Sequence, residues 1–284
     1  MPSYIYLVAI TILWGVGNAL LKRGFKNLTA WQTYALDSVF IAFPLWMGYG
    51  ILNGGDLTTI SSLAAINAFF LTIVYGIYYY TLYIGKIGLA SSLVSTYPIF
   101  TVILAFFVLG EKLSFPATIG ILSSIFGVIL ISLPQKVKFT LEKWVLLSIF
   151  CSVAYGINSF VSKIALQSVN NATYLMLLAI DQVIVVFVWK IFNKEKFPPF
   201  KFKTIGVSAM AILLLNIGVI FFYMALEKGL VSIIVPLSNT YIIITVFLSI
   251  IWLREKIYFR QIIGIVSVVM GIILVGLNSN SADN

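Results

Sequence analysis

Histidine is absent from this chain of 284 residues, and cysteine occurs once, as Cys151. Without an imidazole there is no Ser-His-Asp triad, no histidine general base and little basis for zinc or haem ligation. A lone cysteine in an apolar run has no intrachain partner and says nothing of redox compartment. Charge is scarce too: Asp, Glu, Lys and Arg make up 10% of the chain, against about 25% in a soluble domain. So few charges cannot cover a water-exposed surface, which excludes a soluble fold. No glycine-rich nucleotide-binding loop is present, so direct ATP drive is not expected. Neither a cofactor nor a metal site is expected.

What fills the chain is hydrophobic, at 61% of residues. A transmembrane helix needs about 20 apolar residues. Apolar runs fall at 4–22, 31–52, 61–84, 89–109, 115–133, 143–164, 172–192, 204–226, 230–253 and 258–277. They predict an all-α membrane protein of ten transmembrane helices joined by short turns. The first run is too long for a signal-peptide core and no small-residue cleavage site follows it, so it reads as a true first span. Ser114, with Pro116 close behind, is a plausible start for the fifth helix. The net charge of +9 lies in short loops, where it reports orientation in the bilayer and not nucleic-acid binding.

The second half repeats the first. A shift of 144 residues carries Asp37 onto Asp181, Tyr79 onto Tyr223, Thr96-Tyr97 onto Thr240-Tyr241, Thr101 onto Thr245 and Glu111-Lys112 onto Glu255-Lys256. It also carries Gly120, Ser123 and Gly127 onto Gly264, Ser267 and Gly271. A slip of three residues in the first loop pairs Gly15 with Gly156 and Lys22 with Lys163. The predicted units are therefore a five-helix repeat over 1–138 and a second over 139–284. Five is odd, so the second repeat enters the membrane inverted, as in secondary transporters with a midplane site. The loops agree. The connection from Leu52 to Ser61 has no Lys or Arg, whereas its counterpart carries Lys190, Lys194, Lys196, Lys201 and Lys203. Lys26, Lys86, Lys136, Lys138, Lys143, Arg254, Lys256 and Arg260 join that basic side, leaving Lys112 and Lys228 opposite. The positive-inside rule makes the basic loops cytoplasmic and leaves both termini outside.

These same residues carry a family resemblance. Trp14-Gly15 with Lys22, Gly88 through Pro98-Ile99-Phe100 to Leu109-Gly110-Glu111-Lys112-Leu113, Phe222-Tyr223-Met224-Ala225-Leu226 and Leu253-Arg254-Glu255-Lys256 stand in order and in duplicate. In them the chain resembles a ten-span EamA-type member of the drug/metabolite transporter superfamily, over nearly its whole length. The resemblance implies transport of small organic metabolites, with helices 1–4 and 6–9 around a central cavity and helices 5 and 10 outside it. It also implies termini in the cytoplasm, opposite to the charge count. Where such chains often carry an arginine early in the second helix, this one has Ala35-Leu36-Asp37, and Ala179-Ile180-Asp181 in the repeat.

Asp37 and Asp181 are the sharpest candidates. An acid in hydrocarbon costs at least about 2.5–3.5 kcal/mol, so it needs a partner, a proton or a wet cavity. Two readings stand side by side: proton coupling or a counter-charge for a cationic substrate, and structural pairing of Lys22 with Asp37 and of Lys163 with Asp181. Asn18, Asn158, Asn216 and Asn239 must face the protein interior or water, as helix–helix bonds or substrate contacts. Tyr75, Tyr79 and Tyr83 recur every fourth residue, and Trp14, Tyr97, Tyr155, Tyr223 and Tyr241 lie on cavity-facing helices. Such faces hold organic cations by cation–π attraction, though packing is the commoner role of an aromatic ring. Gly120, Ser123, Gly127 and their counterparts read as packing faces, Glu111 and Glu255 as turn anchors, and Pro98 and Pro236 as kinks.

The expected protein is a non-enzymatic secondary transporter of a small amino acid, amine or similar solute, monomeric or homodimeric, with protons as the candidate coupling ion. A passive facilitator or channel on the same scaffold is the alternative. A multispan transferase is less favoured, because the loops lack acidic, histidine or arginine clusters.

Overall fold

The computed structural model describes residues 3–24, 28–85, 87–132, 142–193, 195–196, 202–253 and 258–279, and its regular elements are all helical. In chain order they are α1 (Ser3–Gly24), α2 (Ala30–Leu52), α3 (Ser62–Ile84), α4 (Ile87–Val94 and Pro98–Val108) and α5 (Phe115–Ser132). Then follow α6 (Lys143–Ala165), α7 (Asn171–Phe192), α8 (Phe202–Lys228), α9 (Val231–Ser238, Asn239–Tyr241 and Ile242–Leu253) and α10 (Phe259–Ser279). Among the described residues, seven stretches are long and apolar enough to cross a membrane. Ile5–Leu21, Pro98–Val108 and Phe259–Val275 are shorter apolar helices. The outward faces are apolar, with Phe107, Leu122, Phe126, Phe187 and Val266 all exposed, as a bilayer requires.

Local chemistry sets the ends. Thr29 and Gln32 form a capping box at α2, and the Ser61 and Asn170 side chains accept from the Ala64 and Thr173 backbone N–H groups. Ser114 Oγ accepts from Ala117 N–H, the helix start its position foretold. Gly110 follows α4 with φ +63°, and Glu111 N–H returns to the Ala105 carbonyl. This left-handed turn needs a glycine and throws Glu111 across to α9. Its carboxylate accepts from the Val231 N–H (3.1 Å), the Ser232 N–H (3.0 Å) and the Ser232 hydroxyl, capping that helix. The turn-anchor reading of Glu111 is thus met through bonds to the other half of the chain. Glu255 lies outside the described residues, as do Lys26, Lys86, Lys136, Lys138, Lys194, Lys201, Arg254 and Lys256, and the side chains of Lys22 and Lys203.

The two halves interlock, and several of the contacts recur in repeat-related pairs. Helix α1 packs on α8, and α6 packs on α3. Thr101 Oγ1 donates to the Gly156 carbonyl (3.0 Å), and Thr245 Oγ1 donates to that of Gly15 (3.1 Å). A methyl on Gly15 would sit 2.5 Å from Ile244 Cβ, and one on Gly156 would sit 2.5 Å from Phe100 Cβ. Both glycines are therefore demanded by close helix approach. Helices α5 and α10 run antiparallel: a methyl on Gly120 would meet the Gly271 carbonyl at 2.7 Å, and one on Gly127 that of Gly264 at 2.5 Å. The equivalents Ser123 and Ser267 touch (2.8 Å), as do Ser95 and Asn239 (2.7 Å). Both pairs are repeat-related residues in direct contact, so they lie on a pseudo-twofold axis perpendicular to α5 and α10.

Breaks in α4 and α9 obey the same relation, at 95–97 and 239–241. Pro98 opens the second piece of α4, where its missing N–H is harmless, while Pro236 lies inside the first piece of α9. One helix breaks the symmetry. Leu36–Ala42 in α2 is a π-helical turn, while α7 is α-helical throughout.

Candidate functional site

Between the halves lies a cavity of about 210 Å³, walled by α1–α4 and α6–α9. Of the predicted residues, Trp14, Asn18, Asp37, Tyr79, Tyr97, Tyr155, Asn158, Asn216, Tyr223 and Asn239 line it. The broken middles of α4 and α9 bring Tyr97 and Tyr241 to its wall, and the π-helical turn of α2 brings Asp37.

Asp37 is buried, at 7% exposure. Its Oδ1 accepts from Asn216 Nδ2 at 2.6 Å and its Oδ2 from the Tyr79 hydroxyl at 2.9 Å. Both donors are neutral, and among the described residues no cation bonds to it. Trp46 seats the same corner, donating its indole N–H to the Asn216 carbonyl (3.2 Å). Trp14 donates to the Leu215 carbonyl (3.0 Å) and meets Tyr241 edge-on with centroids 5.7 Å apart. Tyr155 is ringed by Tyr75, Tyr78 and Tyr97, with centroids at 5.7, 5.9 and 6.2 Å.

The asparagines split by role. Asn18 donates back to the Trp14 carbonyl of its own helix (2.9 Å). Asn239 donates to Ser95 across the axis, and its Oδ1 has no partner among the described residues. Asn158 donates to Asn67 Oδ1 (2.8 Å), and Asn67 donates to Ser162 Oγ (2.8 Å) and to the Tyr174 hydroxyl (2.7 Å). This buried knot joins α3, α6 and α7 beside the cavity, which Asn158 lines. Asn67 was not among the predicted residues; an amide inside an apolar run was its signal.

The expected lysine–aspartate pairing of the second repeat does not form. Lys163 donates instead to the Leu226 (2.9 Å) and Glu227 (3.2 Å) carbonyls at the end of α8. A helix C-terminus satisfies an ammonium as a carboxylate would. Asp181 is half-buried, away from the cavity lining, and makes no hydrogen bond or ion pair among the described residues. Its neighbour Gln182 is the α7 residue in the lining, only 1% exposed, with an Oε1 that has no partner among the described residues. A π-helical turn takes in an extra residue, so α2 and α7 cannot stay in register under a gap-free shift. Tyr83 also falls away and is 54% exposed, because eight residues along a helix turn about 80° past the starting face. Tyr78 takes its place.

Comparison with known proteins fits this architecture. The EamA-like transporter family model matches residues 1–133 and again 142–277. The chain belongs to that family. A solved crystal structure covers 99% of this EamA-like chain and 99% of its own at a TM-score of 0.76 and 17% identity, a likeness of fold. An uncharacterized protein of Methanocaldococcus jannaschii is 30% identical over 135 residues, which is 97% of its length but 48% of this chain. Almost the whole of that relative thus matches about half of the EamA-like chain. The protein is a multi-pass membrane protein of a transporter family, and its fold encloses an aromatic cavity with one carboxylate in its wall.

Proposed function

We propose that this protein is a secondary active transporter that moves a small organic solute, an amino acid, amine or similar zwitterion or cation, by alternating access. The observation that carries the reading is Asp37, a carboxylate held by two neutral donors in a cavity that both halves build. An intramembrane acid in such a place marks a substrate or proton pathway. All ten apolar helices cross the bilayer, in two inverted repeats over 1–138 and 139–284. The antiparallel α5–α10 contact and the paired Thr–Gly bonds support the inversion. The basic loops face the cytoplasm and the termini lie outside. Each chain works alone, since its own two halves complete the cavity wall.

Asp37 takes the coupling proton. The remaining site residues are Trp14, Asn18, Tyr79, Tyr97, Tyr155, Asn158, Asn216, Tyr223 and Asn239, while Lys163 and Asp181 act away from the solute. The test is solute uptake by proteoliposomes under an imposed pH gradient. Accumulation above equilibrium that vanishes in Asp37→Asn supports the reading. Uptake that only equilibrates, with or without the gradient, makes the chain a passive facilitator and refutes the coupling.

A further inference from the structure

An amino acid and an amine demand different things of a protein wall. The carboxylate of an amino acid is balanced by a cation and bonded by N–H or O–H donors, whereas an ammonium needs oxygens. Among the described lining residues there is no Lys or Arg, and the lone charge is that of Asp37. Most amide donors and both indole donors of the wall are already committed; the Gln182 amide N–H and neutral hydroxyls such as those of Tyr75 and Tyr155 are the donors left without a bond among the described residues. Asn18, Asn158, Asn216 and Asn239 give their Nδ2 groups to protein oxygens, and both tryptophans give their N–H to carbonyls. Acceptors remain as well: among the described residues Asn239 Oδ1 and Gln182 Oε1 are buried without a partner, and each Asp37 oxygen accepts once. Buried polar atoms normally find partners, so two orphan amide oxygens in one cavity point to a ligand that brings its own donors. The rest of the wall is Trp14, Trp46 and the tyrosines, faces suited to a cation with an apolar body.

We infer that the solute is an organic monocation carrying N–H groups, a primary or secondary ammonium. Asp37 balances its charge, the Gln182 and Asn239 amide oxygens receive its N–H groups, and its apolar body lies on the aromatic wall. Zwitterions and anions bind more weakly, because only neutral donors of the described lining meet a carboxylate and no cation there balances its charge. A cavity of about 150 Å³ holds benzene, so one of about 210 Å³ suits a solute a few heavy atoms larger. This assignment rests on the cavity being the transport site, and it makes Gln182 a specificity-determining residue.

The experiment is equilibrium binding to the purified full chain in lipid nanodiscs with four probes of one shape. These are phenethylamine, its N-trimethyl derivative, phenylalanine and 3-phenylpropionate. Phenethylamine is expected to bind at least about tenfold tighter than phenylalanine or phenylpropionate. Gln182→Leu should weaken phenethylamine about tenfold, the worth of one hydrogen bond to a charged group, and leave the trimethyl probe unchanged. Equal or tighter binding of phenylalanine or phenylpropionate overturns the assignment, as does binding of no probe. So does a Gln182→Leu effect that is the same on both amines. The charge series in the unmodified chain decides the class however the variants fold. Val219→Trp, which fills the cavity, separates the two levels. If a zwitterion or anion binds at least as tightly as phenethylamine and Val219→Trp abolishes it, the cavity remains the site and the cation assignment alone falls. If binding survives in a folded Val219→Trp protein, the site lies elsewhere and both fall.

Discussion

Replacing Asp37 with Asn separates a working carboxylate from a structural one. In the folded protein the Asp37 oxygens accept from Asn216 Nδ2 and from the Tyr79 hydroxyl, and no cation among the described residues shares the charge. Asn keeps one acceptor oxygen and turns an N–H toward the other donor. The loss is one hydrogen bond to a charged group, about 1.5–3 kcal/mol. Against it stands relief from holding a carboxylate in a membrane interior, about 2.5–3.5 kcal/mol on an insertion scale. The two nearly cancel, so Asp37→Asn should melt within about 1 kcal/mol of the unmodified protein while its uptake falls by at least about tenfold. Thermal unfolding in detergent and proteoliposome uptake, measured on one preparation, check both halves. Breaking a buried ion pair costs about 3–5 kcal/mol. A destabilisation of that size would mean that Asp37 holds the bundle together, and retained uptake would remove it from the transport path.

Other expectations follow from contacts outside the cavity. Glu111→Ala strips the acceptor from two backbone N–H groups and a hydroxyl at the start of α9, so it should cost about 2–3 kcal/mol in unfolding titrations, with Glu111→Gln recovering part. Gly15→Val and Gly156→Val should each destabilise by about 1–3 kcal/mol and by similar amounts, because both positions face one pseudo-symmetric contact. Unequal losses would show that the paired contacts are not equivalent. Lys163→Met should cost about 0.5–2 kcal/mol through the end of α8. A double-mutant cycle with Asp181→Asn should give a coupling below about 0.5 kcal/mol, since the residues do not pair; a larger value would restore the ion pair. In the 53–61 turn, the Thr58 N–H and hydroxyl hold the Asp56 carboxyl below the usual range. Its titration, followed by NMR, should therefore finish at lower pH than that of a free aspartate, and Thr58→Val should move it back up.

Helix positions were legible because hydrocarbon imposes one rule on every stretch: about twenty apolar residues, then a turn. The repeat was legible for a different reason. Residues fixed by backbone contact, such as Gly15 and Gly156 under Ile244 and Phe100, tolerate no side chain and so recur in both halves. Amides and tyrosines inside apolar runs marked the cavity wall for the same energetic reason that they needed an interior. What escaped was direction around a helix axis. Trp46 reads as one more aromatic in a greasy run, and only its bond to the Asn216 carbonyl reveals the corner it builds.

The second helix of each half makes the point most sharply. Sequence places two aspartates in register, and charge draws attention to both. Yet the π-helical turn that begins at Leu36 takes up a residue that α7 never has, and one residue of rotation is about 100° on a helix. Asp37 stays in the cavity, Asp181 leaves it, and the amide of Gln182 takes the place beside it. A symmetric pair of acids would give both halves the same charge at the solute. One acid and one amide give a cavity that both halves build but that is single in charge, which is what the proposed carrier for one positive group requires.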